Sequence, residues 1–458
     1  MNILFGLAIV LVLMLGETSS SNQIISSDET RIALLILLTS IPPLFAAGQV
    51  CLFHYRFSAA SDFESKRGAL SRFAIWHFAV WLLSSVAIVV VLQWQLTVRS
   101  SWNLDRFPAV DEVMILAPSL VSLIISWFII FETQSTSIED LEVSAARQEY
   151  VSLRCRVYLL IVLIPILLMI LVKDFWYLIE PLPLYALLAI TFSFLIGLLA
   201  MMPILVGKMW ASRSVSPDDG RQRMLQLCEN HHMQIKDVLV WDTGNSMVNA
   251  LVAGVFPRYR VVMVSDLLLS SFPDEEVDSI LRHEAGHLRL RHLPIRLAFI
   301  LLPALAMVAM DLDPNQTLSV ATGNLVELTG LPIAPALIPA CLFVAYLLGV
   351  TAWLSRMMEY EADLYSAGLL PQYVTQTGET GANPARTMSD ALCRFGDGNT
   401  EQMKESSLTH PSLQQRLDLV KECSTNLELA RAFQLRFRLQ QAVLAGLILV
   451  LTSLMFIW

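Results

Sequence analysis

Charged residues are scarce in this sequence. Asp, Glu, Lys and Arg make up 16% of its 458 residues, while hydrophobic residues make up 55%. Soluble domains contain about 25% charged residues, so the composition argues against a soluble globular chain. The net charge is −9, which lacks the basic excess of a nucleic-acid-binding protein. We therefore expect a membrane protein with no nucleic-acid partner.

Paired cysteines are also absent. None of the six cysteines lies in a C-x-x-C pair, and several lie in or beside apolar runs. This spacing excludes a zinc knuckle and a disulfide framework. We expect buried thiols in a reducing compartment. The six are Cys51, Cys155, Cys228, Cys341, Cys393 and Cys423.

Long apolar runs explain the missing charge. A transmembrane helix needs about 20 apolar residues, and the sequence contains eight or nine candidates. The first, 3–15, is short. It lacks Lys and Arg before it and a small-residue cleavage site after it, which favours a weak anchor over a signal peptide. The other runs lie near 32–53, 73–97, 112–131, 157–173, 184–206, 295–311, 331–354 and 438–457.

Lys and Arg in the connecting loops predict the orientation of these spans. The loops 54–72 and 132–156 are rich in positive charge, whereas 312–330 contains no Lys or Arg. Positively charged loops stay on the cytoplasmic side. Alternation of the spans then predicts that the polar stretches 207–293 and 355–435 both face the cytoplasm, where they can share one site.

This pattern predicts a mostly α-helical polytopic membrane protein. The two polar stretches are expected to form one domain with a small β-sheet, split by two transmembrane helices. We expect strands at 238–241, 247–252 and 259–264, and a mobile segment at 371–408. The predicted divisions are an N-terminal membrane domain of five or six spans (1–206), the first part of the split domain (207–293), two transmembrane helices (294–354), its second part (355–435) and a C-terminal transmembrane helix (436–458).

The central motif is His283-Glu284-Ala285-Gly286-His287. The sequence predicts one helix over Pro273–Arg291, with Ser271 as its N-cap. Residues four apart share a helix face, so His283 and His287 can bind one Zn²⁺. Glu284 can then reach a water molecule as general base. Two histidines on one helix face also occur by chance in unrelated chains.

A catalytic zinc usually has three protein ligands. A metzincin would have Gly and His where this chain has Leu290 and Leu293, so that class is excluded. His292 is out of register with the helix face. We expect it to be a polar residue at the helix end near the membrane surface.

The better candidate for a third ligand follows the next two spans. Glu359 and Asp363 share a helix face at i, i+4. Glu359 can bind the metal, and Asp363 can accept the second ring N–H of a ligating histidine. We expect Glu361 to point elsewhere into solvent. Taken alone, this segment also fits an ordinary acidic helix surface.

Five elements in order resemble one known family across about 207–425. They are His283–His287, the Glu359–Asp363 segment, Asn249–Gly254, the helix entry Asp274–Glu276, and Thr409-His410-Pro411-Ser412 with Arg416. The set resembles the HtpX and CaaX-prenyl-protease family of membrane zinc metallopeptidases. Residues 1–206 match neither the short HtpX arrangement nor the chambered CaaX arrangement.

The resemblance implies a gluzincin-type zinc-peptidase domain, with its first part at 207–293 and its second part at 355–435, and it implies roles for further residues. Glu359 would be the third ligand of a single Zn²⁺, and Asp363 would support the site. The strand containing Asn249, Ala250 and Leu251 would bind the substrate as an added β-strand. His410 and Arg416 would stabilise the oxyanion, although a loop turn and a surface arginine are the simpler reading of those two residues.

The expected function is hydrolysis of peptide bonds in protein or peptide substrates, among them membrane proteins, at the cytoplasmic face of the inner membrane. Protein quality control is the first choice. Three alternatives stay open. They are processing of prenylated C-termini, signal transduction by regulated proteolysis, and a non-catalytic membrane scaffold.

Overall fold

The computed structural model describes most of the chain. The described residues are 2–17, 27–57, 63–133, 147–148, 150–175, 212–216, 220–243, 248–300, 334–370, 383–396, 403–404, 406–455 and scattered positions between 186 and 207. The chain divides into two compact units. One contains residues 1–193 with 332–340, and the other contains residues 194–331 with 341–458.

The first unit is helical over its described residues. Three of its helices are long and apolar enough to cross a membrane, over Glu29–Arg56, Gly68–Val90 and Val110–Thr133. Its helices are α1 (Asn2–Glu17), α2 (Asp28–Arg56), α3 (Phe63–Val90), α4 (Trp94–Leu96), α5 (Val110–Ile130) and α6 (Ile161–Asp174). Short π-helical and 3-10 segments lie at Thr97–Ser101, Leu104–Arg106, Phe131–Thr133 and Cys155–Leu160.

The predicted membrane spans agree in part with these helices. The spans predicted near 32–53, 73–97 and 112–131 correspond to α2, α3 and α5. The second of them ends earlier than expected, at Val90, because a turn and the short helix α4 follow it. Large apolar side chains such as Trp81 and Ile88 form a buried core in this unit. Much of 184–206 and all of 301–333 lie outside the described residues.

The second unit contains a four-stranded mixed sheet. Its strands are β1 (Ser212–Ser214), β2 (Asp237–Trp241), β3 (Ala250–Ala253) and β4 (Val261–Ser265). The order is β1-β2-β4-β3, so β3 is an edge strand of the sheet in the described part of the chain. It pairs antiparallel with β4, and β4 pairs parallel with β2. The predicted strands are present, shifted by one to three residues. Met247 lies outside the described residues.

Helices surround this sheet. They are α7 (Arg221–Asn230), α8 (Asp266–Ser271), α9 (Asp274–Arg289), α10 (Ala334–Ser366), α11 (Pro384–Phe395), α12 (Leu413–Thr425) and α13 (Leu427–Met455), and residues 292–300 are also helical. Buried residues of the sheet and of α7 to α13 form one apolar core. This core fixes the positions of α9 and α10, which carry the histidine and carboxylate motifs.

Helix α9 begins three residues later than its predicted cap. Ser271 was the expected N-cap, but it is the last residue of α8, and Pro273 occupies the N-cap position of α9. Ser265 caps α8 by accepting a hydrogen bond from the backbone N–H of Leu268. Three acidic residues still occupy the first turn of α9, where they interact favourably with the helix dipole.

Part of the segment predicted to be mobile is an ordered helix. The prediction over 371–408 is wrong for α11, whose residues Met388 and Leu392 are buried in the core. Arg394 at its C-terminal end donates two hydrogen bonds, of 2.7 and 3.0 Å, to the buried carboxylate of Glu276 on α9. The apolar face of α11 and this ion pair attach it to the histidine helix.

Candidate metal centre

Helix α9 presents two imidazoles on one face. The Nε2 atoms of His283 and His287 lie 3.2 Å apart. His283 is 7% exposed. Residues four apart on a helix point in the same direction, so the spacing in the sequence explains this arrangement directly.

A carboxylate of α10 completes a group of three metal-binding side chains. The two oxygens of Glu359 lie 3.6 Å from the Nε2 atoms of His283 and His287 respectively. All three ligand atoms lie within 4.8 Å of one another. Tetrahedral zinc with bonds of about 2.0–2.1 Å separates its ligand atoms by about 3.3 Å. The three side chains therefore fit a zinc ion.

The far side of the His283 ring contacts a buried carboxylate. Its Nδ1 lies 2.8 Å from Oδ1 of Asp363, which is fully buried. Asp363 also accepts two hydrogen bonds from Arg416, and the third nitrogen of Arg416 lies 3.4 Å from Glu359. The structure thus brings all four side chains together.

The far side of the His287 ring contacts His292. The two Nδ1 atoms lie 2.8 Å apart, and Nε2 of His292 lies 3.0 Å from Oε2 of Glu361. The prediction that Glu361 points into solvent is wrong, because Glu361 is fully buried, and the neighbouring His292 is 1% exposed. α9 ends at Arg289, and Arg291 has a φ of +59°. This turn brings His292 back towards the site, which a continuous helical register does not anticipate.

Glu284 lies between the histidines and the sheet. Burial raises the pKa of its carboxyl group to about 7, against opposing contributions that include His283 and a hydrogen bond from the backbone N–H of Val252 in β3. A carboxylate with a pKa near neutrality is well suited to exchange protons with water.

The other carboxylates of the site remain ionised. Burial opposes ionisation of Glu359, but hydrogen bonding by His410 and the charge of Arg416 hold its pKa well below the ordinary value. Burial likewise opposes ionisation of Asp363, and the Arg416 guanidinium holds the pKa of that carboxyl below its usual range. Both groups are therefore negatively charged, as required to bind a cation or to accept hydrogen bonds.

The predicted element Thr409-His410-Pro411-Ser412 places an exposed histidine beside the three metal-binding side chains. The His410 side chain is 60% exposed, and its Nδ1 lies 3.3 Å from Oε2 of Glu359. Ser412 caps α12 with a complete capping box, in which Gln415 is the second partner. This cap fixes the start of α12, which in turn places Arg416 against Asp363.

The predicted substrate strand lies beside Glu284. Ala250 and Leu251 belong to the edge strand β3, and Asn249 immediately precedes it, with its carbonyl accepting a hydrogen bond from the backbone N–H of Ser265 at 2.9 Å. Hydrogen-bonded pairs alternate along an antiparallel ladder. The backbone N–H and C=O groups of Leu251 therefore point towards β4, while the backbone N–H groups of Ala250 and Val252 point away from it.

This chain is similar to a known protein family and to several known proteins. Residues 219–424 match the model of peptidase family M48. A CAAX prenyl protease 1 homolog of Arabidopsis thaliana is 25% identical over 247 residues, which cover 49% of this chain and 53% of the relative. A protease HtpX homolog of Aeropyrum pernix is 28% identical over 191 residues, covering 38% and 58%.

The matches to the curated relatives cover only part of each protein. The chain spans about half the length of the curated relatives that it matches, with 53% of the first relative covered. Among solved structures, the crystal structure of S. mikatae Ste24p is similar with a TM-score of 0.47 and 14% sequence identity, covering 90% of this chain and 98% of that chain.

Proposed function

We propose that the protein is a zinc-dependent endopeptidase of the HExxH type that cleaves membrane or membrane-associated proteins at the cytoplasmic face. The match of residues 219–424 to the model of peptidase family M48 supports this proposal. The observation that carries this proposal is the spacing of His283, His287 and Glu359, which fits tetrahedral zinc, with Glu284 beside it.

The proposed site combines metal binding with a proton carrier. His283, His287 and Glu359 would hold Zn²⁺, a Lewis acid that makes water nucleophilic at neutral pH. Glu284 takes a proton from the attacking water and delivers it to the nitrogen of the leaving amine. Its raised pKa supports both transfers, because a group that titrates near neutrality can accept and release a proton with similar ease.

His410 is the proposed donor to the carbonyl oxygen that becomes negatively charged. Its high exposure leaves ring atoms accessible to a substrate. The resemblance implied the same role for Arg416. However, all three guanidinium nitrogens face Asp363 or Glu359. We therefore propose that Arg416 positions these two carboxylates.

The substrate backbone would pair with β3. An edge strand has unpaired backbone groups that can accept an added strand. The outward N–H groups of Ala250 and Val252 lie on the Glu284 side of the sheet, as the contact between Glu284 and Val252 indicates. A peptide added here would run past the general base.

The cytoplasmic orientation is a proposal based on the Lys and Arg content of the loops. Cys393 on α11 is exposed and lies in the unit that carries the site. In a variant with Cys393 as its sole cysteine, a membrane-impermeant thiol reagent should label inside-out vesicles and leave right-side-out vesicles unlabelled. The opposite pattern would reverse the orientation.

Three functions need to be separated. General proteolysis of membrane proteins for quality control is our first proposal, and the similarity to the CAAX prenyl protease 1 homolog of Arabidopsis thaliana favours processing of prenylated C-termini as the second. Signal transduction by regulated proteolysis is the third. The intact zinc-binding set argues against a scaffold without activity.

The purified protein can be tested with casein, a farnesylated C-terminal peptide and the same peptide without the lipid. Broad proteolysis predicts cleavage of casein and little effect of the farnesyl group. Cleavage of the farnesylated peptide alone would favour prenyl processing. Bound zinc with no cleavage of any of the three would favour a transducer with one narrow substrate. A chelator should abolish cleavage, and added Zn²⁺ should restore it.

A further inference from the structure

His292 connects a proposed metal ligand to a buried carboxylate that lies outside the metal site. Its Nδ1 is 2.8 Å from Nδ1 of His287, and its Nε2 is 3.0 Å from Oε2 of Glu361. His292 and Glu361 are 1% and 0% exposed. Neither residue reaches the position between His283, His287 and Glu359, so the proposed chemistry leaves both without a role.

His287, His292 and Glu361 form a series of hydrogen bonds, and its donors and acceptors match in one way only. If the Nε2 atom of His287 binds metal, its Nδ1 bears the proton and donates to Nδ1 of His292. That atom must then be the acceptor, so the proton of His292 is on Nε2. Nε2 donates in turn to Oε2 of Glu361, because a carboxylate oxygen accepts hydrogen bonds. A single tautomer of each ring satisfies every contact.

The series continues onto α13. The second oxygen of Glu361 accepts hydrogen bonds from Nε2 of Gln434, at 2.9 Å, and from Nη2 of Arg438, at 3.1 Å. Apolar contacts attach the same elements to one another, because Phe299, Leu354, Met358 and Phe437 form a separate buried cluster. Three elements, namely the 292–300 segment, α10 and α13, therefore supply the hydrogen bonds behind the His287 ring.

The two histidines are supported in parallel ways. His283 contacts a carboxylate directly, and that carboxylate is held by Arg416. His287 reaches its carboxylate through His292, and that carboxylate is held by Arg438 on α13. Side chains in this outer position orient ligand rings, and their loss commonly weakens metal binding about 10- to 100-fold.

We propose that His292 and Glu361 are positioning residues that orient His287 for metal binding, and that Arg438 makes the metal affinity of the site depend on α13. This inference rests on the proposed zinc ligation by His287. It goes beyond it by assigning the C-terminal helix a role in maintaining the site. From residue 435 onwards α13 exposes an apolar stripe, Leu435, Leu439, Val443 and Leu447. A helix that contacts lipid would thus be connected to the metal centre.

The first test measures zinc affinity of the full-length, detergent-purified protein by competition with a chelator. His292→Leu removes both hydrogen bonds and should weaken zinc binding about 10- to 100-fold. His292→Asn keeps an acceptor for the His287 ring and should recover part of that loss. The control is His232→Leu, because His232 is exposed and lies outside the series.

The second test acts on α13, at a partly exposed position where folding is less at risk. Arg438→Gln removes the charge that faces Glu361 and should weaken zinc binding about three- to tenfold. Arg436→Gln, an exposed position on the same helix, is the matched control and should bind zinc like the wild type. Size-exclusion profiles should show that every variant is folded.

The outcomes separate this inference from the function on which it rests. If the wild type binds zinc and His287→Ala does not, the ligation stands. Wild-type zinc affinity in both His292→Leu and Arg438→Gln would then overturn the inference alone. The inference would also be overturned by a second pattern of results. In that pattern His292→Leu weakens zinc binding, His292→Asn binds zinc no better than His292→Leu, and Arg438→Gln binds zinc like the wild type. This pattern indicates that His292 acts through packing only. Absence of zinc from the wild type would instead overturn the proposed function.

Discussion

Arg416 donates two hydrogen bonds to Asp363, of 2.7 Å from Nε and 2.6 Å from Nη2. Planar guanidinium and carboxylate groups form such paired bonds with high geometric specificity. The third nitrogen faces Glu359 at 3.4 Å. One arginine thus contacts both a proposed metal ligand and the carboxylate behind His283.

This geometry predicts the effect of Arg416→Lys. A lysine cannot form the paired bonds, so Asp363 and Glu359 lose their fixed positions. We expect zinc affinity to fall about 10- to 100-fold, with a parallel fall in kcat/KM at limiting zinc. Chelator competition and peptide cleavage measure the two effects. A lower kcat with unchanged zinc affinity would instead place Arg416 on the substrate.

The edge strand predicts the effect of Ala250→Pro. Proline removes an N–H group that faces away from β4, and proline is tolerated at such edge positions. We expect kcat/KM to fall about three- to tenfold through the loss of one hydrogen bond to substrate, with zinc content unchanged. Ala250→Val, which keeps the N–H group, should retain activity. Equal kcat/KM in Ala250→Pro and the wild type would exclude strand addition at this edge.

The close approach of α9 and α10 predicts the effect of Gly286→Ala. A Cβ atom at Gly286 would lie 3.2 Å from Cα of Ala362 and from Cβ of Tyr365, closer than ordinary packing allows. We expect the free energy of unfolding to fall by about 1–3 kcal/mol, as for other overpacked cores. At Gly349, where a Cβ would meet nothing within 4 Å, alanine should leave stability equal or higher. Similar stability changes at both positions would argue against this contact.

A buried histidine predicts acid sensitivity of the second unit. Burial lowers the pKa of His231 to about 4, with smaller contributions from neighbouring positive charges such as Arg282, and its Nδ1 is 3.0 Å from the Tyr365 hydroxyl. The unfolded chain binds the proton more readily, so stability is lost as the pH falls below about 6.5 and towards 4.

Between pH 7 and pH 5 this residue should destabilise the fold by about 2 kcal/mol. Denaturant titrations of the metal-free wild type and His231→Asn measure the effect. The stability difference between them should change by that amount across the interval, because the other titrating groups are common to both. A difference that does not vary with pH would contradict the assigned pKa.

The sequence predicted the parts of the site that depend on local helical geometry. The i, i+4 spacing places His283 beside His287 and Glu359 beside Asp363, and one turn of backbone suffices for each pair. The juxtaposition of the two helices is not local. It depends on Gly286, whose missing side chain lets α10 approach, and on apolar residues spread over seven helices and a sheet.

The burial of Glu361, like the juxtaposition of the two helices, is not a local property of the sequence. A polar residue on the helix face opposite to a site is usually solvated, and Glu361 lies two positions from Glu359. In this structure the 292–300 segment and α13 cover the face of α10 that carries Glu361. Only the tertiary arrangement brings three elements around one carboxylate, so neither periodicity nor motif spacing reveals its burial.

The proposed function requires Glu284 to act as the base of a zinc peptidase. Glu284→Gln keeps the size of the side chain and removes its basicity. The decisive measurement compares casein cleavage and zinc content of the detergent-purified wild type and this variant. We expect about one zinc in each protein and a loss of activity of about 10²- to 10⁴-fold in the variant. Absence of zinc from both proteins, or undiminished cleavage by Glu284→Gln, would contradict the proposed function.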